Sequence, residues 1–123
     1  MEKTLAATAA IEDTETVVRA HLRAFVEQRG LDAILADYDE DARFHTEERA
    51  YRGKREIREF FTRFLASLPP GATKRFALRA LVIDGDLAFI TWAVAPEVPL
   101  GTDTFVVRRG RIVRQTFVMH VAQ

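Results

Sequence analysis

With no metal-ligand spacing, phosphate loop or nucleophile elbow in view, chemistry in this chain must be sought where a polar group interrupts a core-facing row, and its 123 residues include no cysteine. Thiol nucleophiles, thiolate metal sites and disulfides are thereby excluded. The acid that stands out is Asp103. In the stretch from Thr102 to Arg108, one face carries Asp103, Phe105 and Val107, and the other Thr104, Val106 and Arg108. The more apolar face is the one a strand turns to a core. An ionised carboxylate there costs several kcal/mol unless paired, so Asp103 must be hydrogen-bonded, protonated or wet. Two readings stand side by side: an acid in a cavity, or a strand-start Asp capping the preceding loop. Gln115 poses the same question, as the one polar member of the row Val113, Gln115, Phe117, Met119 and Val121. It either binds a ligand or satisfies backbone groups. Tyr38 shares a helical face with Leu31, Ile34 and Leu35, which buries its ring and leaves its hydroxyl seeking a partner.

The three histidines fit less well. His21 lies one residue off the Val18, Leu22, Phe25 stripe, His45 alternates away from Phe44 and Thr46, and His120 falls on the opposite row to Gln115. All three are expected to be peripheral, and their spacing predicts no metal site. Arg108, Arg109, Arg111 and Arg114 around Gly110 read as a solvated hairpin tip.

The elements that must position these residues follow from periodicity. Val18, Leu22, Phe25 and Val26 predict a first helix to about Arg29, with Asp13 or Thr14 as N-cap and Gly30 as the left-handed C-terminal residue. The short helix carrying Leu31, Ile34, Leu35 and Tyr38 needs tertiary support. Ala42, Phe44 and Thr46 predict a strand, followed by a polar turn through Gly53. Ile57, Phe60, Phe61, Phe64, Leu65 and Leu68 give a third helix one broad apolar face, stopped by Pro69, Pro70 and Gly71. The period then switches to two. Asp84-Gly85 joins strands of about Phe76 to Ile83 and Leu87 to Ala95; Pro96, Pro99 and Gly101 break the chain; a second hairpin runs from about Thr102 to Arg108 and back from Ile112 to Val121. Helices before a largely antiparallel meander mean α+β, with three N-terminal helices on one face of a curved sheet.

Composition narrows the class. The length fits one domain over residues 1–123, with 1–11 read as a frayed lead-in. Eighteen basic residues balance eighteen acidic ones, so nothing pulls the chain toward nucleic acid or anionic lipid. No apolar run reaches the roughly 20 residues of a membrane span. No signal peptide is expected, since the apolar stretch after Lys3 holds one large residue, Leu5. The expected compartment is the cytoplasm.

Asp39-Glu40-Asp41-Ala42 before a strand, Gly53 opening the third helix, Ile57-Arg58-Glu59-Phe60-Phe61 and Arg109-Gly110-Arg111-Ile112-Val113 give the chain its likeness. Over about residues 12 to 121 it resembles the nuclear transport factor 2-like superfamily, and within it the branch of ketosteroid isomerase and SnoaL-like polyketide cyclases. The resemblance implies a conical half-barrel with a deep apolar pocket. Asp103-Thr104-Phe105 looks like the isomerase's Asp-His-Phe, whose Asp is the protonated partner in the oxyanion hole. Tyr38 falls where some isomerases carry a supporting tyrosine, and Trp92 on a pocket-lining strand position. The chain departs from the isomerase at three places: Thr46 stands at the general-base Asp, Leu22 at the oxyanion-donating tyrosine, and Phe61 at the tyrosine that assists it. Ketosteroid isomerisation in its familiar form is not expected.

The expectation is a small-molecule enzyme, or a former one. It would bind a hydrophobic, cyclic substrate and use Asp103, helped by Tyr38, for the proton transfer of a cyclisation, isomerisation, dehydration or epoxide opening. Leu22, Phe61, Ile90, Trp92 and Met119 are the expected apolar walls, with Thr46 and Gln115 reaching the substrate; no cofactor is required. The alternative is a non-catalytic ligand-binding or scaffold protein of the same fold. A homodimer is expected, because the outer row Thr104, Val106, Thr116, Val118 and His120 is only partly polar.

Overall fold

A computed structural model describes the backbone of residues 2–123 and the side chains of residues 9, 11 and 13–123. Helices α1 (Glu2–Val26) and α2 (Leu31–Leu35) lead into strands β1 (Tyr38–His45) and β2 (Ala50–Arg52), then helix α3 (Gly53–Ser67) and a 3-10 turn (Ala72–Arg75). Four strands complete the chain: β3 (Phe76–Asp84), β4 (Leu87–Val94), β5 (Val98–Arg108) and β6 (Arg111–His120). They form one six-stranded sheet in the order β2-β1-β6-β5-β4-β3, in which β1 runs parallel to β6 and every other pair is antiparallel. Register shifts interrupt four of the five ladders, and such bulges bend and twist a sheet. The result is the α+β conical half-barrel, with the three helices on its concave face.

The core lies between that face and the helices. Val18, Ile34, Ile57 and Phe61 come from the helices, and Phe44, Ile90, Trp92, Phe105 and Ile112 from the sheet. Register sets the inner rows: Asp103 stands between Ile90 and Phe117, Phe105 between Ala88 and Gln115, and Gly101 between Trp92 and Met119.

The structure redraws several expected boundaries. α1 starts at Glu2, so Asp13 and Thr14 are mid-helix residues and not N-caps. Their side chains bind the hairpin turns instead: Thr14 Oγ1 donates to the Gly85 carbonyl at 2.8 Å, and Asp13 Oδ2 accepts from the Gly110 amide at 3.0 Å. The left-handed residue after α1 is Gln28 (φ 53), while Gly30 (φ 98) sits at the N-cap of α2. Tyr38 opens β1 and does not end α2. Thr46 lies beyond β1, where its Oγ1 accepts from the amides of Glu48 and Arg49, and the expected polar turn contains β2. The first hairpin turns on Gly85-Asp86, one residue later than expected, because Asp84 pairs with Leu87. In β6 a bulge gives the inner position to Ile112, fully buried, in place of Val113.

Pro99 and Gly101 do not break the chain; they lie within β5. Pro99 falls in the register shift between the Trp92 and Val94 pairings, a place where a missing N–H is tolerated. At Gly101 the Trp92 indole lies so close that a Cβ would fall 2.2 Å from its Cε2. Gly101→Ala must therefore displace the indole that donates to Asp103. Overpacking of this kind costs about 1–3 kcal/mol, and urea unfolding of the variant should show a loss in that range.

Candidate functional site

Five side chains from separate parts of the fold form one hydrogen-bonded chain under the helices, and a sixth, Asp37, lies at its end. Trp92 on β4 donates its Nε1–H to Asp103 Oδ1 at 2.7 Å, and Gln115 on β6 donates Nε2–H to Asp103 Oδ2 at 2.7 Å. The amide oxygen of Gln115 accepts from the Tyr38 hydroxyl at the start of β1. That hydroxyl lies 3.3 Å from His21 Nε2 on α1, and His21 Nδ1 lies 3.5 Å from the Asp37 carboxylate in the α2–β1 connection. Asp103 is 6% exposed and His21 5%.

Aromatic and aliphatic side chains surround this chain, and they decide its electrostatics. Burial pushes the Asp103 carboxyl up to about 6, although the Trp92 and Gln115 hydrogen bonds and the nearby His21 pull it down. Two N–H donors and an imidazole do not replace the water the carboxylate has lost. Burial, then the charges of Asp103 and Asp37, hold the Tyr38 hydroxyl well above the ordinary phenol value. Tyr38 thus remains a donor wherever Asp103 titrates.

Asp103 opens on a cavity of about 50 Å³ lined by His21, Leu22, Phe61, Ile90, Trp92 and Gln115 with further phenylalanines. A buried water needs about 10–15 Å³ on this measure, so the cavity takes a few waters and no ring. Phe64 and Phe117 also line a neighbouring cavity of about 300 Å³ that runs past Thr46, Tyr51 and Met119 to the surface.

Six of the residues singled out in the sequence meet at the small cavity: Asp103, Leu22, Phe61, Ile90, Trp92 and Gln115. Thr46 and Met119 line the larger one instead, because the turn that captures the Thr46 hydroxyl lies at the far end of β1. Tyr38 stands behind Gln115, with its ring buried against His21 and Phe61. Gln115 lines the cavity, and the groups it satisfies are the Asp103 and Tyr38 side chains and not the backbone groups expected as its alternative role. His45 and His120 lie at strand ends, but His21 is no peripheral residue. It faces the cavity, so the inner surface holds a titratable nitrogen that the strand rows alone do not disclose. The missed signal is the row Thr14, Val18, His21 and Phe25, spaced i, i+4, i+7, i+11, whose first three members are nearly fully buried.

Residues 18–115 match the model of the SnoaL-like domain family. No curated protein matches the chain. Solved structures supply the fold likeness. A nuclear transport factor 2-like protein of unknown function from Burkholderia xenovorans superposes with a TM-score of 0.73 at 18% identity, over 91% of this chain and 86% of that one. A ketosteroid isomerase candidate from Kribbella flavida gives 0.68 at 19%, over 92% and 82%. A SnoaL-like protein of unknown function from Burkholderia thailandensis gives 0.67 at 18%, over 89% and 95%.

The raised carboxyl has a thermodynamic consequence with a definite sign. Between the ordinary value of 3.8 and about 6, the native state holds a proton on Asp103 that the unfolded state has released. Stability from this group is full below pH 4 and is lost as pH rises through 6. The loss amounts to about 3 kcal/mol at neutral pH. Urea unfolding from pH 4 to pH 7 should show native protein losing ground to Asp103→Asn by an amount of that order, and equal pH dependence in the two would remove the buried-acid argument.

Proposed function

Since the chain belongs to the SnoaL-like domain family, we propose that it is a small-molecule enzyme using Asp103 as acid and base on a hydrophobic, ring-bearing substrate. The observation that carries this reading is a carboxyl held near neutrality, at about 6, on the wall of an aromatic cavity. Such a group gives or takes one proton at working pH, and apolar walls keep water from competing. Proton transfer by a carboxyl needs no cofactor. The chemistry is of isomerase, cyclase, dehydratase or epoxide-opening type, acting in the cytoplasm. Tyr38 serves by fixing Gln115. A substrate larger than a few waters enters when Phe64 and Phe117 swing aside and join the two cavities they both line.

The small volume favours a second reading, a non-catalytic binding or scaffold protein. One assay separates them. Against a panel of cyclic ketones, enols and epoxides, native protein should turn over at least one class, and Asp103→Asn should lose about 10²- to 10⁴-fold in rate while remaining folded. A 5-ene-3-ketosteroid should not be turned over, because Thr46 cannot shuttle a proton and lies on the larger cavity. Full activity in Asp103→Asn would overturn the acid–base role.

The same proposal includes a homodimer. On the convex face, Val82 pairs with Phe89, Phe89 with Thr104 and Thr104 with Thr116, and Val82, Leu87, Phe89, Leu100 and Val118 are all exposed. A second copy docked by a two-fold axis covers this face. Light scattering at micromolar concentration should give twice the 14.0 kDa of the chain; a single-chain mass argues for a monomer.

A further inference from the structure

The hydrogen-bonded chain has a direction, and the direction is tied to the charge of Asp103. With Asp103 ionised, both carboxylate oxygens accept: Gln115 turns its NH₂ to Asp103 and its oxygen to Tyr38. Tyr38 spends its single proton on Gln115, so its oxygen is left to accept from His21 Nε2–H. With Asp103 protonated and donating to Gln115, the amide turns over and donates to the Tyr38 oxygen. Tyr38 then donates to a bare His21 Nε2, and the ring proton sits on Nδ1, facing Asp37. Only N–H and O–H bonds change, and the second arrangement holds one proton more than the first, taken from solvent. In both, every partner from Trp92 to His21 Nε2 is satisfied, whereas Nδ1 is left bare beside Asp37 in the first and carries the ring proton in the second.

We propose that His21 is the positioning residue for Asp103: the nitrogen that carries its proton sets the direction of the Tyr38–Gln115 pair and thereby whether Asp103 is held as carboxylate or as carboxylic acid. The geometry around the ring supports this role. Its Nδ1 is buried without a hydrogen bond, and the nearest acceptor is the Asp37 carboxylate, 22% exposed, which faces solvent as well as the ring. The other elements packed on His21 bring Phe61 from α3 and Phe105 from β5, which carry no charge. Among the described residues, the titratable groups acting on the ring are Asp37, Tyr38 and, through the field it shares with His21, Asp103. A fully protonated ring offers Nε2–H to Tyr38, which favours the carboxylate by hydrogen bonding and by charge together. His21 therefore strengthens Asp103 as an acid. The inference deepens the acid–base reading and rests on it for its use in catalysis.

The test reads the ring itself. In protein labelled with ¹⁵N histidine, long-range ¹H–¹⁵N correlation at pH 8 distinguishes Nε2–H from Nδ1–H. Native His21 should be in the Nε2–H form. Asp103→Asn should switch it to Nδ1–H, because Trp92 only donates and so forces the Asn amide nitrogen toward Gln115, reversing the chain. Gln115→Leu should give Nδ1–H as well, since Tyr38 then has only His21 to donate to, and it decides the matter if Asp103→Asn does not fold. His21→Phe should raise the midpoint of the Asp103 carboxyl ¹³C titration and move any pH–rate profile upward with it. A native ring already in the Nδ1–H form, or one unchanged in both variants, overturns the proposal. A tautomer switch in an Asp103→Asn protein that keeps full turnover leaves the positioning role standing and removes the catalytic reading; loss of turnover without a switch does the reverse.

Discussion

A carboxyl placed under aromatic rings must be answered by donors, and most of what is particular to this chain follows from that requirement at Asp103. The inner row of β5 holds it between Ile90 and Phe117, where neither neighbour offers a polar atom. Its two oxygens are answered diagonally, by Trp92 on β4 and Gln115 on β6. Each donor then constrains something else. The Trp92 indole presses on Gly101 and leaves no room for a Cβ. The Gln115 oxygen requires a donor of its own, which Tyr38 supplies, and Tyr38 brings in His21. A half-satisfied polar network is worse than an apolar core, so the set stands or falls together.

The fold is arranged to make that set possible. β1 lies parallel to β6, with Phe44 beside Gln115 and Tyr38 beside Ile112. Between those two pairings the register shifts, and the shift is what carries Tyr38 to the Gln115 amide from the strand's opposite end. α1 crosses above with one polar residue per two turns on its buried face, Thr14 reaching a hairpin turn and His21 the site. α3 contributes no polar group there; Phe61 and Phe64 supply the low-dielectric wall that makes the carboxyl unusual.

The sequence discloses the fold class and the acid because both rest on local periodicity. Strict alternation places Asp103 and Gln115 inward, and their burial follows. What escapes is what depends on partners distant in sequence. Asp13 and Thr14 read as caps because their types favour caps, yet the turns they bind lie 97 and 71 residues away. Pro99 and Gly101 read as breakers until a bulge and an indole explain them. Tyr38 keeps helical spacing with α2, but the strand pairing with β6 overrides a five-residue helix. His21 is missed because a stripe drawn through Val18, Leu22 and Phe25 makes it look one step off, whereas the true buried face is wide enough to include it.

The ties from Asp13 and Thr14 to the two hairpin tips bear on the order in which the molecule assembles. A helix of local contacts forms in microseconds or less, whereas strands paired across long stretches of chain come together far more slowly. The two side-chain bonds from Asp13 and Thr14 wait until Gly85 and Gly110 have been brought to the same end of the sheet by the finished β3–β4 and β5–β6 hairpins. These two bonds can form only after both hairpins are in place, so they tie the chain's first helix to its last strands, while His21, Leu22 and Phe25 further along the same helix cover the cavity at Asp103.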